Sequence, residues 1–302
     1  MSNILITGAT GFIGSHLVKF FTKNNYHIIA QGSSAHSINK LKENLKTNNI
    51  GLENIEFWQQ DFLDKEWDYP NFSDIETIIH CAALTKVREG TFENYNKYFT
   101  TNVLATKNLA KKALEEKVKH FIYLSTGQVF GIPASFPITE DTPKKPINLY
   151  GMTKLMGENI TVSLGLFGLN YTIIRPFSIY GENHYNIISI IIDKLSNNET
   201  VIIFGDGTQT RAFLHISDFC SAVKLIINNK ECFHQEYNLS GKKEYSVNEL
   251  VQIISNKLNV IPKIEYQSSN VNELKRNLAD LSKIRSLGFI PKETLEDFIK
   301  KL

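Results

Sequence analysis

Cysteine is scarce in this sequence: there are three in 302 residues, Cys81, Cys220 and Cys232. They are widely separated and form no CxxC pair, so the pattern indicates neither a zinc site nor a disulfide framework, and we expect no metal. So few cysteines fit a reducing cytosol, and a cytoplasmic location is expected.

A strong excess of charge of one sign is also absent. The 33 Lys and Arg residues nearly balance the 31 Asp and Glu residues, giving a net charge of +2, and the bases form no cluster. Binding to a phosphate backbone needs such a cluster, so nucleic acid is not an expected partner. With 42% hydrophobic and 21% charged residues, the chain has the composition of a soluble globular protein.

Long apolar runs are missing as well. The longest, from Ile187 to Ile192, is interrupted by Ser189 and is far too short to cross a bilayer. No signal-peptide pattern precedes the first strand, which begins within a few residues of Met1. We therefore expect no membrane span and no secretory leader.

The first half of the chain contains a regular alternation of short apolar runs and amphipathic segments, which is typical of strands and crossover helices in a parallel sheet. It predicts strands at residues 3–7, 27–31, 55–59, 77–81, 120–125 and 171–175. It predicts helices at residues 12–21, 98–114 and 150–164, and a surface loop at residues 39–49. The predicted fold is α/β, with a doubly wound parallel (Rossmann) sheet.

After Pro176 the alternation loosens into loops rich in Gly and Asn, an isolated strand at residues 201–204, and helices near residues 218–227 and 247–258. We expect a dinucleotide-binding domain at residues 1–176. A smaller α/β substrate-binding domain is expected at residues 177–302, with some segments packing back on the first.

The stretch ITGATGFIG joins the first predicted strand to the first predicted helix and places Gly8, Gly11 and Gly14 three residues apart. This is a variant of the dinucleotide fingerprint. Gly8 would allow the tight turn, Gly11 the approach of a pyrophosphate, and Gly14 close packing of the helix. Phe12 and Ile13 begin the helix, whose positive N-terminus would hold the pyrophosphate.

The second predicted strand ends in IIAQGSSAHS, with no acid between Gln31 and Ser37. A carboxylate here usually binds the adenosine ribose, and its absence removes repulsion toward a 2′-phosphate. Ser33, Ser34 and Lys40 could donate to such a phosphate, or the serines could be plain loop residues. NAD or NADP is therefore expected, with NADP slightly favoured.

Four further positions near strand ends are candidates for ligand contacts. Asp61, followed by Phe62, could accept from the adenine amino group or cap the next turn. The small residues in HCAAL would permit close approach of a cofactor at Ala82. Thr85, just beyond them, is a candidate substrate-binding residue.

The stretch YGMTK places Tyr150 and Lys154 four residues apart at the start of a predicted helix, on one face. An ammonium near a phenol favours the phenolate, so Tyr150 is a candidate general acid and base. On its own, such a pair is most often a surface helix pair. Following a dinucleotide turn and five strands, it predicts a catalytic pair.

Taken together, the motifs resemble the extended short-chain dehydrogenase/reductases, the NAD-dependent epimerase/dehydratase group that acts on nucleotide sugars. The resemblance rests on GATGFIG, Ser125-Thr126, Tyr150-x-x-x-Lys154, Arg175-Pro176 and the stretch GDGTQTRAFLHISD from Gly205 to Asp218. It implies hydride transfer at a sugar carbon, usually C4, while the tyrosine moves the hydroxyl proton. It also implies that Lys154 binds the nicotinamide ribose and that Thr126, or else Ser125, hydrogen-bonds the reacting oxygen.

The same resemblance implies a substrate site. Arg211 and Arg276 stand where the family clamps a nucleotide diphosphate, a use suited to a planar donor fork. Ser178 replaces a frequent substrate-contacting asparagine, and Ala212 a common aspartate, so the sugar is not specified. Asp218 is expected to cap the helix that follows.

Gly127 and Gln128 narrow the reaction, because family members that remove water carry an Asp-Glu pair there. A 4,6-dehydratase is therefore disfavoured, and a C4 epimerase and a 4-ketoreductase both remain open. A non-catalytic dinucleotide sensor or scaffold is the alternative from another class. The family resemblance also implies a homodimer through the helices at residues 98–114 and 150–164.

Overall fold

The computed structural model describes residues 3–182, 184–268 and 274–301, and the chain divides into two compact units. Unit 1 comprises the chain up to Gly131, Lys144–Arg175 and Val223–Tyr237; unit 2 comprises Ile132–Pro143, Pro176–Ala222 and the chain from Asn238 onward. The chain passes from unit 1 to unit 2 after Gly131 and again after Arg175, and residues 223–237 belong to unit 1 again. Among the described residues, no helix is long and apolar enough to span a membrane.

A seven-stranded sheet carries unit 1. Its strands are β1 (Asn3–Thr7), β2 (His27–Gly32), β3 (Ile55–Gln59), β4 (Ile75–His80), β5 (His120–Leu124) and β6 (Tyr171–Pro176), followed much later in the chain by a strand at Gln235–Leu239. The order is Gln235–Leu239, β6, β5, β4, β1, β2, β3, and the pairs from β6 through to β3 are parallel. Every residue of β5 and β6 is buried, as expected of strands covered on both faces.

Helices alternate with these strands. They are α1 (Phe12–Lys23), α2 (Ala35–Thr47), α3 (Tyr95–Phe99), α4 (Ala105–Glu115) and α5 (Leu149–Gly165). Leu17, Val18 and Phe21 of α1 are buried, at the three- and four-residue spacing of a helix packed on a sheet. The doubly wound α/β fold predicted from the sequence is confirmed.

Two predictions about local structure in unit 1 were wrong. Residues 39–49 were predicted to form a loop, but most of them lie in α2, which buries Ile38, Leu41 and Leu45. The many Asn and Lys residues are on its solvent side and masked the apolar spacing. Residues 98–114 were predicted to form one regular helix, but residues 100–104 form a π-helical turn between α3 and α4.

Unit 2 is built on smaller sheets. Its strands are β7 (Ser178–Tyr180), β8 (Val201–Phe204), β9 (Thr210–His215), β11 (Glu244–Ser246) and β12 (Ile264–Gln267), the strand Gln235–Leu239 of the large sheet being β10. Its helices are α6 (Ile187–Ser196), α8 (Val247–Leu258), α9 (Ser282–Arg285) and α10 (Leu295–Lys300), while α7 (Ile216–Ile226) runs from unit 2 into unit 1. β9 lies between β11 and β7, and β12 pairs with β8.

Asp218 does not cap the helix that contains it, contrary to the expectation. α7 begins two residues earlier, at Ile216, so Asp218 lies within the first turn. Its Oδ2 accepts from the backbone N–H groups of Lys292 and Glu293, both at 2.9 Å. The carboxylate thus holds the segment before α10, a partner too distant in sequence to predict.

Candidate active site

The glycine turn between β1 and α1 has no room for side chains. Gly8 has φ +62°, and a Cβ on it would lie 2.7 Å from Ala82 Cα. A Cβ on Gly14 would lie 2.2 Å from the carbonyl oxygen of Gly8, so α1 can pack against the turn only with glycine there. Gly11 precedes Phe12 and leaves the start of α1 without a side-chain cap. The turn therefore presents bare backbone at a positive helix end.

The end of β2 is closed by Gln31, which lies inside the fold. Its Oε1 accepts from Gly8 N at 2.7 Å, and its Nε2 donates to the Gln60 carbonyl at 2.6 Å. A Cβ on the next residue, Gly32, would lie 2.7 Å from Thr10 Cγ2. Gln31 thus links the glycine turn to the strand ends of β2 and β3, a role that the sequence pattern did not reveal.

Two of the serines expected near the adenosine ribose have different surroundings. Ser33 is exposed. Ser34 is the N-cap of α2 and forms a capping box with Ser37, accepting from its backbone N–H at 3.2 Å. The hydroxyl of Ser34 also donates to Ser37 Oγ at 3.2 Å, so its one proton is already used in a hydrogen bond within the chain.

The three positions at the ends of β3 and β4 also differ from one another. Asp61 Oδ1 accepts from Leu63 N at 3.0 Å, so this carboxylate caps the turn, the second of its two expected roles. Phe62 is buried and stacks on Trp67 with ring centroids 4.4 Å apart, which leaves only its backbone to face a ligand. Ala82 lies against Gly8, as described above.

His80, at the end of β4, is fixed by hydroxyl groups on both sides. Its Nδ1 lies 2.7 Å from Thr7 Oγ1 and its Nε2 lies 3.0 Å from Thr106 Oγ1. Thr106 donates to the Asn102 carbonyl at 2.7 Å, and Thr7 accepts from Ala82 N at 3.2 Å. Because the Thr106 hydroxyl already donates to Asn102, Nε2 must donate to Thr106, and the Thr7 hydroxyl is then the donor to Nδ1. The proton of the His80 ring is therefore on Nε2. Burial lowers the pKa of His80 well below its usual value, which keeps the ring neutral.

Asn102, in the π-helical turn, connects the loop after β4 to α5. Its Oδ1 accepts from Leu84 N at 2.8 Å, and its Nδ2 donates to Leu84 O and to Thr153 Oγ1, both at 3.0 Å. Thr153 in turn donates to the Tyr150 carbonyl at 3.0 Å. Sequence reasoning missed this residue because its partners Leu84 and Thr153 lie 18 and 51 positions away in the chain.

Thr126, Tyr150 and Lys154 converge at the ends of β5 and α5. The Thr126 hydroxyl is hydrogen-bonded to the half-buried Tyr150 hydroxyl. Lys154 is fully buried, and its Nζ lies 4.1 Å from the centroid of the Tyr123 ring. By contrast, the Oγ of Ser125 is buried without a hydrogen-bond partner among the described residues. Of the two hydroxyls considered, it is that of Thr126 which contacts Tyr150.

Burial moves the pKa values of this pair in opposite directions. It raises the pKa of Tyr150 to about 12, and the hydrogen bond from Thr126 partly offsets the rise. It lowers the pKa of Lys154 to about 7. The sequence suggested a phenol acidified by its lysine, whereas here desolvation disfavours the charged form of both groups. Tyr150 is therefore a protonated acid at neutral pH.

Gln128 has a structural role beside this pair. Its Oε1 accepts from Asn148 Nδ2 at 3.1 Å, and Asn148 Oδ1 caps α5 by accepting from Gly151 N at 2.8 Å. A Cβ on Gly151 would lie 2.7 Å from the Gln128 carbonyl oxygen. The turn that carries Thr126 and the first turn of α5 are thus held together, although sequence reasoning saw in Gln128 only a missing acid.

The candidate substrate residues are divided between the units. Thr85 is in unit 1 and exposed, whereas Ser178, Arg211 and Arg276 are in unit 2. Arg211 Nη1 donates to the Thr210 carbonyl at 2.8 Å.

Arg276 is paired within unit 2. Its Nη2 lies 2.5 Å from Glu244 Oε2, and its guanidinium carbon lies 4.6 Å from the centroid of the Phe136 ring. Thr210 Oγ1 donates to the other carboxylate oxygen of Glu244 at 2.6 Å.

Comparison with known proteins supplies close relatives over the whole chain. The profile of the NAD-dependent epimerase/dehydratase family matches residues 4–240. A Methanocaldococcus jannaschii protein provisionally named a UDP-glucose 4-epimerase is 35% identical, over 99% of this chain and 96% of its own. A UDP-glucose 4-epimerase from Halalkalibacterium halodurans is 31% identical, over 83% of this chain and 78% of its own.

Solved structures of 4-epimerases have a similar fold over nearly the whole chain. The crystal structure of UDP-glucuronic acid 4-epimerase from Bacillus cereus, in complex with UDP-glucuronic acid and NAD, superposes with a TM-score of 0.87 at 28% identity. The alignment covers 99% of this chain and 96% of that one. The UDP-glucose 4-epimerase of Thermotoga maritima, solved with UDP-glucose, gives a TM-score of 0.84 at 26% identity, with coverage of 99% and 96%.

Proposed function

The chain belongs to the NAD-dependent epimerase/dehydratase family, and we propose that it is a UDP-sugar 4-epimerase that uses NAD. The observation that carries the proposal is the contact of Thr126 with Tyr150 one helical turn from Lys154, with Gly127 and Gln128 alongside. One proton-moving group suffices to interconvert an alcohol and a ketone at a single carbon. Removal of water would need a further acid and base, which this turn lacks.

The substrate class follows from the relatives and the arginines. The relatives named above act on UDP-glucose or carry UDP-glucuronic acid in their structures. Arg211 and Arg276 are suited to a diphosphate because a guanidinium donates two parallel hydrogen bonds to phosphate oxygens. We propose that these two arginines bind the UDP-sugar diphosphate, with Ser178 of the same unit as a further contact. Thr85, in unit 1, stays a separate candidate for substrate contact.

The glycine turn fits a dinucleotide, because a Cβ at Gly8 or Gly14 would collide with backbone and the backbone is bare there. Gly8, Gly11, Phe12, Ile13 and Gly14 would hold the pyrophosphate at the N-terminus of α1.

NAD is proposed over the slightly favoured NADP because Ser34 is committed to its capping box. Only Ser33 and Lys40 are then left for a 2′-phosphate. Equilibrium titration should give the smaller Kd for NAD, and tighter binding of NADP would contradict this choice.

The residues of the chain divide the chemistry between them. When bound, the nicotinamide supplies the acceptor and donor of hydride. Tyr150, after releasing its own proton to solvent, accepts the proton of the sugar hydroxyl and later returns it, while Thr126 hydrogen-bonds the reacting oxygen. Loss of the Tyr150 proton from a site that raises its pKa to about 12 requires a nearby positive charge. Lys154, one helical turn away and fully buried, supplies that charge.

Incubation of the purified chain with UDP-glucose and with UDP-glucuronic acid, without added cofactor, tests the proposal. Proton NMR should show the C4 epimer of one of them. Tyr150→Phe should lower kcat by about 1,000-fold, within the range for a lost general acid and base. Tyr26→Phe, at the turn before β2, is the matched control and should leave kcat unchanged.

Other outcomes would identify the alternatives. Stoichiometric consumption of added NADPH would replace the epimerase with a 4-ketoreductase, and a 4-keto-6-deoxy product would indicate a dehydratase. Binding of NAD with no turnover of any UDP-, GDP-, CDP- or dTDP-sugar would favour a sensor or scaffold.

We also propose a homodimer through α4 and α5. Large apolar side chains on these helices and their flanks are exposed: Leu104, Met152, Val162, Leu166 and Phe167. An exposed apolar surface of this kind is typical of a subunit interface. Light scattering should give the mass of a dimer, and Val162→Glu should shift it toward the monomer. Gln252→Glu on α8 should not, and a monomeric wild type would contradict the proposal.

A further inference from the structure

A buried ion cluster lies in unit 1 beyond Lys154. Arg175, on β6, donates from Nε to Glu158 Oε1 at 2.8 Å and from Nη2 to Glu158 Oε2 at 2.9 Å. Its Nη2 also lies 2.5 Å from Glu236 Oε2. Lys144 Nζ lies 3.1 Å from Glu236 Oε2 and 3.7 Å from Glu158 Oε2. Arg175 is 0% exposed and Glu158 2%.

Stability alone gives a weak reason for such a cluster. Removing two charges from water costs several kcal/mol per ion, and well-packed apolar residues in their place are often neutral or stabilising. A bidentate Arg-carboxylate pair does, however, fix the carboxylate in position. The arrangement keeps the negative charge of Glu158 at one defined place on α5.

That place is one turn beyond Lys154. Tyr150, Lys154 and Glu158 are spaced four residues apart on α5 and so share one face, with neighbouring Cβ atoms about 5–6 Å apart. Burial lowers the pKa of Lys154, and this lowering is opposed by Cys81 and, to a smaller extent, by Glu158. Of the two carboxylates that Arg175 binds, Glu158 is the one on the helix that carries the proposed site.

The other titratable groups around Lys154 carry no negative charge near neutral pH. From β4 and the loop after it, His80 is kept neutral and the pKa of the Cys81 thiol is raised to about 12, so neither is an anion near neutral pH. From β5, Tyr123 presents its ring face 4.1 Å from Nζ, and burial raises its pKa well above the usual value. Because a neutral thiol cannot favour the ammonium, Glu158 is the carboxylate left among the groups that raise the pKa of Lys154.

We propose that Glu158, held in place by Arg175, is a positioning residue that keeps the buried Lys154 charged and so able to assist Tyr150. The inference rests on the role given to Lys154 in the proposed function. It assigns to the two carboxylates of one cluster different tasks. Glu158 sets the charge of the active-site lysine, whereas Glu236 serves the fold alone.

The charge of Lys154 can be measured directly, without substrate or cofactor. Lysine labelled with carbon-13 at Cε is followed by NMR across pH, and the Lys154 signal is identified by its loss in Lys154→Met. In the wild-type chain the midpoint should lie near pH 7. Glu158→Gln should lower it by about one unit, because the neutral amide no longer favours the ammonium. Glu236→Gln, the matched control, should leave it unchanged.

Two further readouts separate this role from a structural one. Glu158→Asp keeps the charge and should hold the midpoint near the wild-type value, even where it lowers the melting temperature. With a UDP-sugar that turns over, Glu158→Gln should move the alkaline limb of the kcat profile to lower pH and leave KM unchanged. Glu236→Gln should show the wild-type profile.

Equal midpoints in wild type and Glu158→Gln would overturn the proposal, as would equal shifts in the two Gln variants. If Glu158→Gln does not fold, Glu158→Asp is the test variant. A lower Lys154 midpoint in Glu158→Asp than in wild type would contradict the proposal, because the negative charge is retained in that variant. A lowered Lys154 midpoint in Glu158→Gln, together with no turnover of any UDP-sugar by the wild-type chain, would contradict the proposed function. The effect of Glu158 on the charge of Lys154 would still be supported.

Discussion

In unit 1, the groups proposed for proton transfer are enclosed and held by neighbours, whereas in unit 2 the groups proposed for substrate binding are more accessible. Lys154 is 1% exposed and Thr126 7%, while the Arg276 side chain is 47% exposed. Burial shifts the pKa of Lys154 to about 7, but the pKa of Arg276 is raised, chiefly by its hydrogen bond with Glu244.

The difference shows that the proposed proton-transfer groups and the proposed substrate-binding groups are held in different ways. Tyr150 and Lys154 are desolvated in the folded chain, which is unfavourable for their charged forms. In the proposed function, this cost is met on folding, so the two groups are already positioned when a sugar binds. Arg276 instead has an internal partner, Glu244, which a diphosphate must replace or share. Changes in the first region should therefore act on kcat, and changes in the second on KM.

After Tyr150→Phe, the largest effect is expected from Thr126→Val. Loss of the hydroxyl removes its hydrogen bond with Tyr150 and the proposed one with the reacting oxygen, and one such donor contributes about 100-fold to kcat. Steady-state kinetics should show this fall with little change in KM. Ser125→Ala is the control and should retain wild-type kcat. A greater loss in Ser125→Ala than in Thr126→Val would reverse the assignment.

A smaller effect is expected from Arg276→Ala. The variant loses a charge-assisted contact to the diphosphate, so KM for the UDP-sugar should rise about tenfold, equivalent to about 1.4 kcal/mol. Its kcat should stay within about twofold of wild type, as expected for uniform binding. Arg285→Ala on α9 is the matched control. An effect of Arg276→Ala confined to kcat would abolish the contrast between the two regions.

The smallest effect is expected on stability, from Lys154→Met. Because the pKa of Lys154 falls to about 7 on folding, the unfolded chain holds more protons than the folded chain above that pH. Wild-type stability should therefore rise with pH from about 7 toward 10 through this group. In the Met variant this rise should be smaller by at least about 1 kcal/mol.

Urea denaturation at pH 7 and pH 9 measures the difference in stability. Lys65→Met, at an exposed site, serves as the control and should follow the wild type. The same pH dependence in Lys154→Met and wild type would show that burial of the ammonium is not costly.

Features local in sequence were predictable here. The spacing of Gly8, Gly11 and Gly14 and of Tyr150 and Lys154 placed those residues on their elements, because turn geometry and helix periodicity act over a few residues. The apolar runs that became β1, β4 and β5 were equally clear. The family, and with it the fold, followed from the order of these motifs.

Features that depend on distant partners were not predictable. Gln31 bonds to Gly8 and Gln60, and Asn102 joins the loop after β4 to α5, through contacts that no short pattern encodes. The pKa of Tyr150 was misjudged for the same reason, since burial depends on the whole unit. From the sequence, Gln128 was interpreted only as the absence of an acid at that position. Its contact with Asn148 was not predictable, because the two residues are 20 positions apart in the chain.

The central claim is that hydride leaves and returns to the same sugar carbon while Tyr150 moves the proton. A UDP-sugar carrying deuterium at C4 tests it most directly, with the chain in normal water and mass spectrometry and NMR on the product. We predict a C4 epimer that keeps its deuterium at C4, with none released to water. An epimer that has exchanged its label with solvent, or deuterium found in released cofactor, would contradict the account.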